Sequence, residues 1–274
     1  MTQRAPQDQR VTAAPTLDPS VPSPARMWNY WVGGKDHFAA DRDAATRIIE
    51  AMPAMPQLAR NARLFLADAV SQLVGLGVRQ FLDIGTGLPT ANNTHEVAQA
   101  AAPESRIVYV DYDPVVLAHA RALLTSSPEG KTDYIEADLR DPDTILAAAQ
   151  HTLDFTQPVA ILLIGVLHFI PDSDEPYGLV DRLMAALPPG SYLTIGHGAS
   201  DIQPAEAAEL TRRYNARSSA QIRMRNRDEV ARFFAGLEMT TPGPVPLSEW
   251  LPPGKVEVGT ASDLAGYCGI GRKP

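Results

Sequence analysis

Residues 81–90 read FLDIGTGLPT, and this stretch decides the fold of the chain. Its mostly apolar start predicts a short strand from about residue 80, and its two glycines predict a sharp turn. Glycine also lets a ligand approach the backbone closely. Because a helix is predicted to begin near Asn93, backbone N–H groups and the positive end of that helix would face a ligand at the turn.

Beyond this turn the sequence alternates between strand-like and helix-like segments, which predicts a parallel sheet with right-handed crossovers. The predicted parallel strands cover residues 80–84, 106–110, 133–136, 159–164 and 191–195. Two more strand-like pieces, 237–245 and 264–270, flank a loop rich in proline and glycine. These two pieces predict an antiparallel hairpin at the end of the chain.

The segment before the sheet divides into two parts. Residues 1–24 contain five prolines and few large apolar side chains, which predicts a flexible tail. Residues 25–77 have apolar residues at helical spacing and predict a helical lid, interrupted near the glycine pair at 33–34. We expect residues 78–274 to form the α/β domain, and residues 25–274 to form one structural unit.

The net charge of the chain limits the classes of partner that we expect it to bind. The chain has 274 residues and a formal net charge of −8, so it lacks the overall basic character of most nucleic-acid binders. We expect no nucleic-acid partner. A local basic patch remains possible at Arg212, Arg213, Arg217, Arg223, Arg225 and Arg227. We interpret these arginines as the solvated face of a helix.

The cysteine content and the hydropathy of the chain indicate the cellular compartment in which we expect the protein. The one cysteine, Cys268, excludes a disulfide within the chain and fits a reducing compartment. The longest apolar run, 159–170, is shorter than the roughly 20 residues that span a bilayer. The polar, proline-rich start does not resemble a secretory leader. We therefore expect a cytoplasmic protein with no membrane partner, and the sequence does not indicate its oligomeric state.

Acidic residues lie at the ends of the first three predicted strands, and they are Asp83, Asp111 and Asp138. Asp111 lies 24 residues beyond Gly87. An acid about 20 residues beyond such a turn can hold two ribose hydroxyls. Asp138 follows the third strand and could accept a hydrogen bond from an adenine amino group. Each acid could instead cap a strand-to-helix turn, but three at successive strand ends favour a nucleoside site.

The turn itself separates two kinds of nucleoside ligand. The third glycine of the dinucleotide pattern G-x-G-x-x-G is absent, because Leu88-Pro89-Thr90 follows Gly87. Asp83 would repel a pyrophosphate but could bind an amino group. S-adenosylmethionine carries an amino group, a carboxylate, a ribose and an adenine, but no phosphate. The turn therefore predicts S-adenosylmethionine.

The sequence resembles the S-adenosyl methyltransferase family from about residue 24 to the end. The resemblance rests on ARMWNYWVGGKDHFAAD at 25–41, on 83–96, on YVDYDP at 109–114, on VLHF at 166–169 and on PGSYL at 189–193. It implies a Rossmann-like α/β fold of class I methyltransferases, with a seven-stranded, mostly parallel sheet, an antiparallel C-terminal hairpin and an N-terminal helical lid. It also implies S-adenosylmethionine as cofactor and S-adenosylhomocysteine as product, but no particular methyl acceptor.

Carried over by position, the resemblance implies a cofactor site around the turn. Asp83, Gly85 and Gly87 would contact the methionine part, and Asp111 would hold the ribose. We expect the aromatic lid sequence to cover the cofactor, or alternatively to cap the sheet. Arg26, Asn61 or Arg63 could bind the methionine carboxylate, although a surface arginine is the commoner case. The predicted cofactor-binding residues are Tyr30, Gly34, Arg63, Asp83, Ile84, Gly85, Thr86, Gly87, Asp111, Tyr112, Asp138, Leu139, Gly165 and Val166.

Two histidines follow the fourth and fifth predicted strands. Ligands bind at the carboxyl ends of such strands, so His168 and His197 could face a methyl acceptor and take a proton from it. They could instead form hydrogen bonds at the sheet edge. No tight ligand spacing supports a metal site.

Three functions are compatible with these features. The first is methyl transfer to an oxygen or nitrogen nucleophile of a small-molecule acceptor. The second is a non-catalytic S-adenosylmethionine sensor or partner-binding protein. The third, a nicotinamide oxidoreductase, is disfavoured by the missing third glycine and by Asp83.

Overall fold

The glycine turn ends the first strand of an eight-stranded sheet, in a computed structural model that describes residues 18–123, 125–216, 221–241, 243–250 and 265–274. The strands are β1 (Gln80–Ile84), β2 (Arg106–Asp111), β3 (Lys131–Glu136), β4 (Ala160–Ile164), β5 (Tyr192–Gly198), β6 (Glu238–Met239), β7 (Val245–Pro246) and β8 (Gly266–Arg272). Their order is β3-β2-β1-β4-β5-β8-β6, and β7 also pairs with β8.

The first five strands are parallel, and β8 runs antiparallel to β5. This confirms the predicted mostly parallel sheet with antiparallel C-terminal strands. The central strands are apolar because both of their faces are covered. Phe81 of β1 packs in a cluster beneath the helical lid, whereas Leu82 and Ile84 pack in a cluster on the opposite face.

The sheet has eight strands where seven were predicted, because the predicted strand 237–245 is interrupted. Thr241 and Gly243 form a tight turn, in which the Gly243 N–H donates to the Thr241 carbonyl at 2.7 Å. Gly243 has a φ of 132°, which suits glycine and breaks the strand. The interruption leaves β6 and β7 as two short strands, both paired with β8.

Helices cover both faces of the sheet. Those that the structure describes are α1 (Pro24–Trp31), α2 (Ala39–Ala51), α3 (Met55–Gly75), α4 (Thr94–Ala101), α5 (Pro114–Leu123), α6 (Pro142–Ala149), α7 (Pro176–Ala185), α8 (Pro204–Asn215), α9 (Arg227–Ala231) and α10 (Leu247–Trp250). Several begin with proline, whose fixed φ suits the first helical turn. In the described part of the chain, no helix has the length and apolar character that crossing a membrane requires.

The lid consists of α1, α2 and α3, and α1 ends beside the glycine pair at 33–34. A buried ion pair holds α1 to α2, since the Arg26 Nε donates to Asp41 Oδ2 at 2.7 Å. Asp41 also accepts the backbone N–H groups of Ser23 and Phe38. Arg26 is thus paired within the lid, which argues against its predicted role as a ligand of the methionine carboxylate.

The predicted flexible tail lies mostly outside the described residues, which begin at residue 18. The part that is described leads directly into α1. There the Ser23 hydroxyl donates to Asp113 Oδ2 at 3.1 Å, which joins the start of the lid to the loop after β2.

Replacing Asp41 with alanine should destabilise the protein. Because Arg26 and Asp41 are 5% and 0% exposed, the change leaves a buried cation without its partner. We expect the free energy of unfolding to fall by about 3–5 kcal/mol, measured by urea denaturation. The matched control is Asp43→Ala, an exposed position on the same helix. Equal stabilities of the two variants would contradict the prediction.

Candidate functional site

A cavity lies at the carboxyl ends of the parallel strands, and α1 and α3 contribute to its walls. The turn after β1, the end of β2 and the residues after β4 line one side of it. The lining residues on this side that were predicted to bind the cofactor are Arg63, Asp83, Gly85, Thr86, Gly87, Asp111, Tyr112, Gly165 and Val166. The topology thus brings together residues from four separate parts of the sequence.

Asp111 ends β2 and ties it to the glycine turn. Its Oδ2 accepts the Gly87 N–H at 3.0 Å, and its Oδ1 accepts the Asp113 N–H at 2.9 Å. Each carboxylate oxygen retains capacity for a further hydrogen bond. Burial raises the pKa of Asp111 to about 6, although these backbone N–H groups act in the opposite direction. The carboxylate is therefore fixed in position and able to accept ribose hydroxyls.

Asp83 lies at the end of β1 and is also buried. Its Oδ2 accepts a hydrogen bond from the Thr94 hydroxyl at 2.6 Å, in the first turn of α4. Burial raises the pKa of Asp83 to about 6, while the Thr94 hydrogen bond and the charge of Arg63 oppose this rise. An ammonium group beside Asp83 would favour the ionised carboxylate.

The two glycines of the turn have different roles. Gly85 has a φ of 76°, and a side chain there would overlap Val166. Gly87 has a φ of 63°, and a Cβ there would enter open space. The turn therefore packs against the end of β4 on one side and leaves room for a ligand on the other.

Arg63 of α3 reaches the same end of the cavity. Its side chain donates to the Asn92 carbonyl at 3.1 Å and to the Ala91 carbonyl at 3.3 Å. Its Nε is buried and has no hydrogen-bond partner among the described residues. An unpaired guanidinium N–H near a buried carboxylate suits an amino-acid group, whose carboxylate and ammonium have opposite charges. The residues present therefore fit the methionine part of S-adenosylmethionine.

Several predicted cofactor residues do not line the cavity. Ile84 and Leu139 are buried in the core, and Asp138 pairs with Arg140 at 3.0 Å. Tyr30 packs edge-on against His37, with ring centroids 5.2 Å apart.

The lid residues that line the cavity are likewise not the ones that were predicted to bind the cofactor. Gly34 packs against the side chain of Asn29, and a Cβ at Gly34 would overlap it. Asn61 is fully buried, has no side-chain hydrogen-bond partner among the described residues, and does not line the cavity. The cavity is lined instead by other residues of α1, of which Trp28 and Trp31 are the aromatic ones. Their spacing of three residues places them on one face of the helix, but Met27 and Tyr30 have the same spacing, so the sequence alone did not distinguish the two pairs.

His197 lines the cavity but has no free nitrogen. Its Nδ1 lies 2.8 Å from the Gly198 carbonyl, which only accepts, so Nδ1 carries the proton. Its Nε2 then accepts from Arg225, 3.1 Å away. Burial and the nearby charges hold the pKa of His197 well below its usual range. These contacts argue against the predicted role of His197 as a base.

Arg225 was interpreted as part of a solvated helix face, and this is wrong. Its side chain is 0% exposed and donates to the carbonyls of Leu167 and Ile170 and to Asp172. By contrast, Arg212 pairs with Glu209 at the surface, as expected of a solvated arginine. Arg217 lies outside the described residues.

His168 lies in a short 3-10 helix after β4 and also lines the cavity. Its ring is 5.9 Å from that of His197. Burial, together with the charge of Arg225, lowers the pKa of His168 to about 4. His168 is therefore a neutral imidazole at pH 7, able to accept a hydrogen bond but a weak base.

The parallel sheet, the glycine turn after β1, the acid at the end of β2 and the antiparallel C-terminal strands together define a class I methyltransferase fold. The chain matches the family described as S-adenosyl methyltransferase over residues 10–274. It belongs to that family. S-adenosylmethionine is accordingly its cofactor, and the chain is an S-adenosylmethionine-dependent methyltransferase.

Solved structures support the same class. A DUF574 family protein from Streptomyces avermitilis MA-4680 is 44% identical, with a TM-score of 0.89, over 93% of this chain and 98% of that chain. A proposed methyltransferase from Thermobifida fusca YX is 38% identical, with a TM-score of 0.85, over 96% of this chain and 99% of that chain.

A more distant likeness shows the fold alone. The magnesium protoporphyrin IX methyltransferase from Synechocystis PCC 6803, solved with bound S-adenosylhomocysteine, is 10% identical, with a TM-score of 0.54, over 90% of this chain and 93% of that chain. Among curated proteins, no match to this chain was found.

Binding of S-adenosylmethionine should weaken in mild acid. The pKa values of Asp83 and Asp111 are both about 6, so both carboxylates gain protons as the pH falls below 6. A protonated Asp83 no longer attracts the ammonium, and a protonated Asp111 is a poorer acceptor for the ribose hydroxyls, so we expect the affinity to fall by up to about tenfold per pH unit for each. Calorimetry between pH 7.5 and about pH 5 measures this change.

Carboxyl groups with an ordinary pKa near 4 would hold the affinity nearly constant over that range. Such constancy would contradict the prediction. The control is Asp143→Asn, which removes an exposed carboxylate on α6 and should leave the pH dependence unchanged.

Proposed function

We propose that this chain transfers the methyl group of S-adenosylmethionine to an oxygen or nitrogen nucleophile of a small molecule held in the same cavity. The observation that carries the proposal is the continuity of the site. The charged groups around the glycine turn and a second, mainly apolar wall line one cavity. Donor and acceptor could therefore lie side by side, shielded from water.

Different residues of the chain would bind different parts of S-adenosylmethionine, the methyl donor. Asp83 and Arg63 would hold the amino and carboxylate groups of the methionine part, and Asp111 the ribose hydroxyls. Tyr112, 57% exposed at the rim, would cover the adenine. Asp138, which is exposed after β3, would contact the edge of the adenine beyond the cavity, whereas the buried side chain of Leu139 would support this region from the core.

When bound, S-adenosylmethionine supplies an electrophilic methyl group on a sulfonium. The transfer is an in-line displacement, so the main contribution of the protein is alignment. Trp28 and Trp31 exclude water from the lid side, and Gly165 brings the backbone close at the end of β4. His168 can accept a hydrogen bond from the O–H or N–H of the nucleophile and so orient its lone pair.

The charge of the lining residues favours a small molecule over a nucleic acid. The described lining residues contain a single cationic side chain, Arg63, which lies near the turn after β1. A phosphate backbone requires several such contacts. The buried Cys268 is compatible with a reducing cytoplasm as the location of the protein.

Methyl transfer is tested with S-adenosylmethionine labelled on the methyl group, incubated with pools of small molecules, proteins and RNA. We expect label in a small-molecule fraction. Asp111→Ala removes the acceptor of the ribose hydroxyls and should weaken cofactor binding by about 100-fold. Asp143→Ala, at an exposed position, is the matched control.

Tight cofactor binding without transfer to any pool would contradict the proposal and favour a sensor. Label confined to RNA or protein would contradict the small-molecule acceptor alone.

The pH profile of kcat tests the role of His168. With saturating cofactor and an acceptor from the labelled pools, we expect kcat to show no inflection near pH 6.5, because the pKa of His168 is about 4. His168→Ala should lower kcat about tenfold, the value of one hydrogen bond, and leave the shape of the profile unchanged. His151→Ala, an exposed position, is the control. An inflection near 6.5 that disappears in His168→Ala would instead identify His168 as a general base.

A further inference from the structure

The part of the cavity away from the cofactor residues has no charged side chain among its described lining. The charged residues that line the cavity are Arg63, Asp83, Asp111 and Asp113, all beside the glycine turn or the end of β2. The opposite walls come from the lid, the short 3-10 helix after β4, α8, β8 and the segment before α9. Representative residues are Trp28, Trp31, Met55, Phe169, Leu210 and Met224.

Polar groups in these walls are few, and some are already engaged. His197 has both ring nitrogens in hydrogen bonds. His168 has a buried Nδ1 without a hydrogen-bond partner among the described residues, and its ring packs against that of Phe169, with centroids 4.3 Å apart. His168 is therefore a group in these walls that can respond to a polar atom of an acceptor.

Glycines on the sheet let large side chains reach the floor of the cavity. A Cβ at Gly198 would overlap the side chain of Met224, and a Cβ at Gly266 would lie 3.1 Å from Leu58 Cδ1. Methionines are frequent in the lining, which includes Met27, Met52, Met55 and Met224. Flexible thioether side chains adapt to the outline of a rigid apolar ligand.

The aromatic residues of the lid suit a flat ring. The Trp28 and Trp31 rings meet edge to face, with centroids 6.1 Å apart and planes at 74°. An aromatic ligand gains from such neighbours beyond its buried area. A charged ligand would lose its hydration here and find no counter-ion among the described residues of these opposite walls.

We propose that the methyl acceptor is an uncharged aromatic alcohol or amine, with its O–H or N–H directed at His168 and its ring between the lid and Met224. This rests on the proposed function, since it assigns a substrate class to the same site. In the reaction a lone pair of the nucleophile forms the new bond to carbon, and the sulfur–carbon bond breaks with its electron pair left on sulfur. The proton of the nucleophile passes along its hydrogen bond to His168 and is lost to bulk water when the product leaves the cavity.

Binding of matched aromatic probes tests the proposal. The full chain, saturated with S-adenosylhomocysteine, is titrated with 2-naphthol and with 6-hydroxynaphthalene-2-sulfonate, followed by quenching of tryptophan fluorescence. We expect 2-naphthol to bind tighter by about tenfold or more, because the sulfonate must lose its hydration. Equal or tighter binding of the sulfonate, or no binding of 2-naphthol, would overturn the proposal.

Calorimetry with S-adenosylhomocysteine alone separates this failure from a failure of the proposed function. If the nucleoside does not bind, the proposed function is wrong. If it binds and 2-naphthol does not, the assignment of the acceptor class is wrong.

A charge placed in the apolar wall provides a second test. Met224→Lys should reverse the preference, so that the sulfonate binds tighter than 2-naphthol. Leu76→Lys places the same charge at a position 60% exposed and should leave the preference unchanged. Unchanged preference in a Met224→Lys protein that still binds S-adenosylhomocysteine would overturn the proposal.

Trp31→Ala is the variant to use if Met224→Lys does not fold. It should weaken 2-naphthol binding about tenfold and leave the affinity for S-adenosylhomocysteine within about twofold. Unaltered binding of 2-naphthol to Trp31→Ala would place the probe elsewhere and contradict the proposal.

Discussion

The hydrogen bond from the Gly87 N–H to the Asp111 carboxylate, 3.0 Å long, is the constraint on which the rest of the site depends. It joins the turn after β1 to the end of β2. Asp111 is buried, which raises its pKa to about 6, and a buried carboxylate needs such donors to remain ionised near neutral pH. The turn can present this N–H because Gly87 adopts a φ of 63°. The glycine and the acid therefore form one unit, although they come from different strands.

The lid is joined to the same unit. The Ser23 hydroxyl contacts Asp113, and the Asp113 N–H in turn donates to Asp111. Ser23 also donates its backbone N–H to Asp41, the partner of Arg26. A chain of hydrogen bonds thus leads from the buried ion pair of the lid to the carboxylate assigned to the ribose. Access to the cofactor site and the position of α1 are physically coupled through these contacts.

The sequence could predict the features of the fold and the site that depend on a local pattern of residues. The central strands are apolar runs, and the acids at strand ends lie at characteristic spacing, so the sheet and the turn were predicted at nearly the observed residues. The features that depend on how side chains pack against other elements could not be predicted from the sequence. Tyr30 lies in the same eight-residue helix as Trp28, and the sequence did not indicate which of them would line the cavity. Arg225 resembles its neighbour Arg223 in sequence, but the carbonyls of Leu167 and Ile170 bury Arg225 alone.

The buried Arg225 also decides what chemistry the cavity can perform. It occupies Nε2 of His197, and its charge helps to keep His168 neutral. Neither histidine is then a strong base, and the carboxylates lie on the cofactor side of the cavity. A site of this kind accelerates a displacement by holding the two reactants aligned in a dry space. The nucleophile must therefore be reactive as a neutral lone pair, which an apolar wall and a single hydrogen-bond acceptor are sufficient to position.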